Sequence, residues 1–182
     1  MLVACERSGV VRDAFLQRGH DAWSCDLEES RSPGPHFKAD ALQIVCAYDW
    51  DILIAHPPCT HICVSGARWF AEKRADGRQQ EAVDFFMRII KSDVPKIVVE
   101  NPVCILSSIY RKPDQIIQPW MFGHGETKAT CLWLKGVEKL VATKIVEGRD
   151  QRIHRIAPGQ NRSESRSKTY SGIADAMATQ WG

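Results

Sequence analysis

The sequence predicts an α/β fold in which helices cover both faces of a parallel sheet. Three observations carry this expectation. Strand-like and helix-like segments alternate over residues 1–135. The stretch "WDILIAHPP" is almost continuously apolar up to its prolines, as a strand covered on both faces should be. Asp26, Asp40, Cys59 and Glu100 each fall just past the carboxyl end of an expected strand, the edge at which open α/β sheets bind ligands.

The elements follow in order. Leu2 to Cys5 reads as a short first strand and Ser8-Gly9 as a turn. Val10, Val11, Ala14, Phe15 and Leu16 then recur at helical spacing until Gly19. "HDAWSCDL" is a second strand stopping at Asp26, "HFKAD" a third stopping at Asp40, and "WDILIAHPP" the fourth. Ala82, Phe85, Phe86, Ile89 and Ile90 form the apolar stripe of an amphipathic helix. "KIVVENP" is the fifth strand, ending on Glu100-Asn101-Pro102, and "ATCLWLKG" a later one. Residues 147–169 lose the periodicity and carry Arg149, Arg152, Arg155, Arg162, Arg166 and Lys168, so a long basic surface loop is expected there. "YSGIADAMATQWG" reads as a short closing helix.

A length of 182 residues is expected to form one domain with its own core. The 44% hydrophobic and 25% charged content is that of a soluble globular protein. With a net charge of only +2, local clusters matter more than the field of the whole molecule. No apolar run approaches a membrane span, and an acid at Glu6 comes too early for a signal peptide. Seven cysteines, an odd number without a secretory signal, are expected to be reduced thiols in a cytoplasmic protein.

The segment "DILIAHPPCTHICVSG" ends a buried strand on two prolines and then presents a thiol. Metal ligation, a structural turn and a cysteine nucleophile all fit such a pattern. Zinc sites pair cysteines two or four residues apart and repeat the pair downstream, and Cys59, His61 and Cys63 do not. A zinc deaminase needs H-x-E ahead of P-C-x-x-C, whereas His124-Gly125-Glu126 follows the cysteines and three residues separate Cys59 from Cys63. No metal is therefore expected. Packing as a small hydrophobe is the reading for Cys5, Cys25, Cys46, Cys104 and Cys131. Cys59 is set apart by lying beyond its strand.

Glu100 follows three apolar residues at the same edge. It could cap a helix or pair with an arginine. Burial would raise its pKa and keep it protonated, able to donate a hydrogen bond to a ring nitrogen. A cysteine beside such an acid suits covalent attack on a pyrimidine.

Pro57-Pro58-Cys59 and Glu100-Asn101-Pro102 resemble the two hallmark motifs of cytosine-5 DNA methyltransferases. "VACERSG", residues 3–9, stands where that family carries its first S-adenosylmethionine loop, with the usual Phe-Ala-Gly and Gly-rich turn altered. "FGHGETKATCLWL" resembles a later motif that brings basic residues to the pocket, and "YSGIADAMATQWG" the final one. The resemblance covers residues 1–135 and the last dozen, and the whole chain is similar to small phage- or prophage-type members.

The resemblance implies a class I S-adenosylmethionine-dependent, Rossmann-like sheet in a single catalytic domain over residues 1–182. It implies cofactor contacts from Glu6, Ser8, Gly9, Asp26 with Leu27 at the ribose, Asp40 with Ala41 at the adenine, and Pro57. It implies Cys59 as nucleophile, Glu100 at the base N3 and Lys128 near the pocket. Residues Thr60 to Arg78 would be a mobile loop closing over the base, with Trp69 either a stacking residue or a core aromatic.

One departure is large. Only the stretch from Val137 to Thr169 separates the late motifs, where full-length members carry a recognition domain. DNA contacts then fall to Arg68, Arg152, Arg155, Arg162, Arg166 and Lys168, with a homodimer partner or a separate subunit available for target recognition. Two other functions stay open. One is methyl transfer to a free pyrimidine nucleotide of the dCMP type. The other is a non-catalytic, nucleic-acid-binding relative that needs a partner.

Overall fold

Strand β4 (Ile52–Ala55) lies at the centre because its four residues are all buried. In the computed structural model, which describes residues 1–155 and 167–182, seven strands form one sheet in the order β3-β2-β1-β4-β5-β7-β6. The first five are β1 (Leu2–Ala4), β2 (Trp23–Asp26), β3 (His36–Lys38), β4 and β5 (Lys96–Pro102), and they run parallel. Strands β6 (Gln115–Ile117) and β7 (Thr130–Lys135) were not both legible, and β7 pairs antiparallel with β5 and with β6. The expected parallel sheet thus holds for five strands. A parallel partner needs a helical crossover, and only a short 3-10 turn, Pro119–Met121, lies between β6 and β7.

Alternation along the strands divides the core between the two faces. Leu2, Ala4, Leu53 and Ala55 join Phe86, Ile89 and Trp133 on one side. Val3, Ile54 and Val98 join Phe15, Ile173 and Met177 on the other. Helix α4 (Arg78–Ile90) covers the first face through Phe86, Ile89 and Ile90, as its stripe predicts. Helix α1 (Val10–Leu16) and the closing helix α7 (Ser171–Gln180) pack together over the second. Helix α2 (Ala41–Ala47) follows β3, and α5 (Leu106–Ile109) follows β5.

Within Thr60 to Arg78, a tight turn leads into a helical stretch from Val64 to Ala75. A 3-10 helix, Val64–Trp69, runs into α3 (Phe70–Ala75). The basic segment contains a short helix, α6 (Arg152–Arg155), while Arg162 and Arg166 lie outside the described residues. Cys25, Cys104 and Cys131 are buried as expected, but Cys46 is exposed on the outer side of α2. Among the described residues no helix is long and apolar enough to cross a membrane.

Candidate active site

The backbone N–H of His56 continues the ladder of β4, donating to the Ala4 carbonyl at 3.0 Å. Pro57 and Pro58 have no N–H to give, so the ladder ends there and the chain leaves the sheet. The Cys59 carbonyl then accepts from Ile62 N–H (3.1 Å) and Cys63 N–H (2.9 Å), closing a tight turn anchored by fully buried Ile62. Lys73 Nζ on α3 donates to the Thr60 carbonyl at 2.7 Å, and Gln79 Nε2 on α4 to the His61 carbonyl at 3.2 Å. Asn101 Nδ2 on β5 donates to the Pro57 carbonyl at 3.2 Å. The two sequence motifs are therefore tied directly to each other.

Cys59 is half-buried. Burial pushes its thiol pKa up, and the negative charge of Cys63 and Glu100 pushes it further; Lys128 opposes this only in part. Cys59 does not have this edge to itself. Cys63 lies one turn further on, and Cys131 sits opposite Asn101 in the β5–β7 register. Burial pushes the Cys104 and Cys131 thiols up to about 12 and about 11. Among the described residues no three His, Cys, Asp or Glu side chains converge on a metal-sized site.

Glu100 departs from expectation. Its Oε2 lies 2.6 Å from His56 Nδ1. Burial does push the carboxyl up, but the His56 hydrogen bond and the charges of His56 and Lys128 outweigh it and hold Glu100 below the usual carboxylate range. Burial likewise pushes His56 down, and its bond to Glu100 and the charge of Glu100 more than reverse this. The His56 contact favours the carboxylate here over the neutral acid expected from burial alone. His56 was missed by the motif reading. The rule that singled out Cys59, a polar residue just past a strand end, applies to it equally.

Lys128 reaches the same place. It lines a shallow pocket with Glu100, Thr130, Thr169, Tyr170 and Ile173. Its Nζ donates to the Lys168 carbonyl at 3.2 Å and stands 5.9 Å from the centre of the Tyr170 ring. Tyr170 OH donates to Glu126 Oε2 at 2.6 Å, and Arg152 also pairs with Glu126. Tyr170, after β7, thus folds back beside Glu100 and Lys128 and bonds Glu126, which precedes β7; the resemblance gives neither residue a role.

On the far side of Glu100, the loop after β1 is built around Glu6. Its buried carboxylate accepts from Val11 N–H (2.7 Å), Arg12 N–H (3.2 Å) and Ser8 Oγ (3.3 Å). Glu6 is therefore engaged in holding the start of α1. Gly9, with φ of 74°, makes the turn into that helix and leaves no room for a Cβ beside Arg12 and Ser32. Asp40 Oδ1 caps α2 through Leu42 N–H at 2.7 Å, with Ala41 buried beneath. Asp26 Oδ1 accepts Glu28 N–H at 3.1 Å at the rim, next to Leu27, which is 73% exposed. A carboxylate beside an exposed apolar side chain can accept from ribose hydroxyls and cover a purine face, so this edge fits a nucleoside-type cofactor.

Arg68 lies on the other flank with its guanidinium 5.0 Å over the Trp69 ring. Trp69 is 50% exposed and is not a core aromatic. Arg152 and Arg155 are exposed, the latter 4.0 Å from Asp150.

No family model matches the sequence, and no curated protein matches it. Among solved structures, the chain is similar to an E. coli protein, encoded within a prophage and provisionally described as a DNA modification methyltransferase. That similarity has 13% identity and a TM-score of 0.52, over 80% of this chain and 51% of the other. It is also similar to the Entamoeba histolytica methyltransferase EhMeth, with 12% identity and a TM-score of 0.50, over 89% of this chain and 61% of the other. These likenesses show a Rossmann-like α/β fold shared with both. The chain spans about half the length of the first and three-fifths of the second.

Proposed function

We propose that this protein transfers a methyl group from S-adenosylmethionine to carbon 5 of cytosine in DNA, through a covalent adduct on Cys59. The observation that carries this reading is the tie between the Pro57-Pro58-Cys59 turn and Glu100-Asn101, which sets a thiol and a carboxyl together at the carboxyl edge of the sheet. The neighbours, one described as a DNA modification methyltransferase and one as a methyltransferase, support methyl transfer in general.

Asp26, Leu27 and Asp40 would hold the nucleoside part of the cofactor, with the Glu6–Gly9 loop shaping the other end. When bound, S-adenosylmethionine supplies an electrophilic methyl group. The chain's residues do the rest. Cys59 Sγ adds to C6 of a base turned out of the stack, and the electron pair moves through the ring. The Glu100 carboxyl stabilises N3 as it gains a proton, leaving C5 nucleophilic. A base or water then takes the C5 proton, and elimination of the thiolate with loss of the N3 proton restores aromaticity. Lys128 supplies positive charge that favours the thiolate. Arg68, Arg152, Arg155 and Lys168, with Arg162 and Arg166 outside the described residues, would grip phosphates. A single domain would then carry the chemistry, with a homodimer partner or another subunit adding target recognition.

A labelled methyl-transfer assay on duplex DNA, single strands and dCMP tests this. Label in duplex DNA as 5-methylcytosine supports it. Label in dCMP alone supports a nucleotide-modifying enzyme. DNA binding with no transfer to any substrate supports a non-catalytic role.

A further inference from the structure

The imidazole of His56 makes a 2.6 Å contact with Glu100 Oε2, but its other nitrogen, Nε2, is buried without a partner among the described residues. Three charged groups act on this ring from three elements: Glu100 on β5, Glu6 after β1 and Lys128 before β7. Two of the three are acids. Glu6 is already engaged with helix α1, so Glu100 is the group His56 is bonded to. The structure thus contains a buried histidine bonded to the carboxyl through which the proposed chemistry delivers a proton.

We propose that His56 is a positioning residue that acts through Glu100, storing the proton that the carboxyl passes to N3 of the target pyrimidine. This rests on the methyl-transfer reading above. When Cys59 Sγ adds to C6, an electron pair moves to N3. One proton then leaves His56 Nδ1, passes through the Glu100 carboxyl and ends on N3. The imidazolium becomes neutral imidazole, Glu100 is a carboxylate before and after, and the proton on N3 neutralises the negative charge that thiolate addition brings onto the ring. When the thiol is eliminated, the N3 proton returns by the same route. The raised pKa of His56 agrees with a stored proton at neutral pH, and the lowered pKa of Glu100 explains why a store is needed.

The chemistry requires protonated His56 together with ionised Cys59. Raising the pH gains thiolate but removes the stored proton, so kcat/KM of the wild type falls on the alkaline side. His56→Asn is the informative variant. Its amide keeps a donor near Glu100 but cannot titrate. It should bind DNA as the wild type does, lose on the order of 10²-fold in kcat/KM near neutral pH, the scale of general-acid catalysis, and show no alkaline fall. Independently of turnover, imidazole NMR should show a His56 protonated above the usual histidine range, reverting in Glu100→Gln. His56→Asn with wild-type rate and profile overturns the inference while leaving methyl transfer intact, as does an imidazole that is neutral in the free enzyme at neutral pH. Wild-type protein that methylates neither DNA nor nucleotide overturns the methyl-transfer reading, and this inference with it.

Discussion

Asn101 Nδ2 donates to the carbonyl of Pro57 across 3.2 Å, and this bond joins the two motifs at the sheet's carboxyl edge. Asn101 is almost fully buried, so its amide has no water to fall back on. Asn101→Ala leaves the Pro57 carbonyl without its donor. Urea denaturation should show a loss of about 1–3 kcal/mol, the cost of an unsatisfied buried group. Methyl transfer should fall by more than the unfolded fraction explains, because the turn carrying Cys59 is no longer fixed to Glu100.

Arg12 is the most enclosed charge in the described chain. Its guanidinium bonds Asp13 (2.8 Å), Ser24 Oγ (3.0 Å), Ser30 Oγ (3.1 Å) and the Ser32 and Pro33 carbonyls (both 3.1 Å). It therefore pins the loop after β2 to α1. Arg12→Ala strands these acceptors and opens a cavity. Thermal and urea unfolding should show a loss of about 1–3 kcal/mol or more, the cost of leaving buried acceptors unsatisfied.

Asp26 and Asp40 should separate in calorimetry. Asp26→Ala should weaken S-adenosylmethionine binding by about 1–3 kcal/mol and leave stability unchanged. Asp40 also caps α2, so Asp40→Ala should cost about 1 kcal/mol of stability as well. Asp40→Asn keeps a capping oxygen and should recover that stability without recovering cofactor affinity.

The His56–Glu100 pair makes stability depend on pH on both sides. Glu100 is lowered, so its contribution is complete above its ordinary 4.5 and is lost as pH falls through its folded value. His56 is raised, so its contribution is complete below its ordinary 6.5 and is lost as pH rises through its folded value. The pair therefore contributes most between about 4.5 and 6.5. Melting curves of wild type against the His56→Asn, Glu100→Gln double variant should differ most in that window. A constant difference across pH contradicts the pairing.

The exposed cations should set salt dependence rather than sequence preference. Neutralising Arg68 and Arg155 together should flatten the log–log salt slope of DNA affinity by about two and weaken all duplexes alike. Unchanged slopes would place the DNA elsewhere on the surface.

The fold was legible because its signals are local. The apolar run at Ile52–Ala55 and the stripe at Phe86, Ile89 and Ile90 appear where expected, and Asp40 and Cys59 lie past their strands, whereas Asp26 is the last residue of β2 and Glu100 lies within β5. The antiparallel entry of β7 was not legible, since strand direction depends on the length and content of the connection rather than on the strand's own residues. The state of Glu100 was not legible either. Its burial could be read from "IVVENP", but its partner lies 44 residues away and meets it only after the sheet is assembled. The same holds for Tyr170, brought beside Glu126 and Lys128 by the returning chain.

The central claim is that Cys59 is the nucleophile, and the structure sharpens how it must be tested, because Cys63 lies one turn away. Duplex DNA containing 5-fluorocytosine should trap the enzyme in the presence of S-adenosylmethionine, since fluorine at C5 cannot leave as a proton does. Peptide mapping of the denaturation-resistant complex should place the base on Cys59, and Cys59→Ser should form none. Methyl transfer that persists in Cys59→Ser, or an adduct mapped to Cys63, contradicts the account.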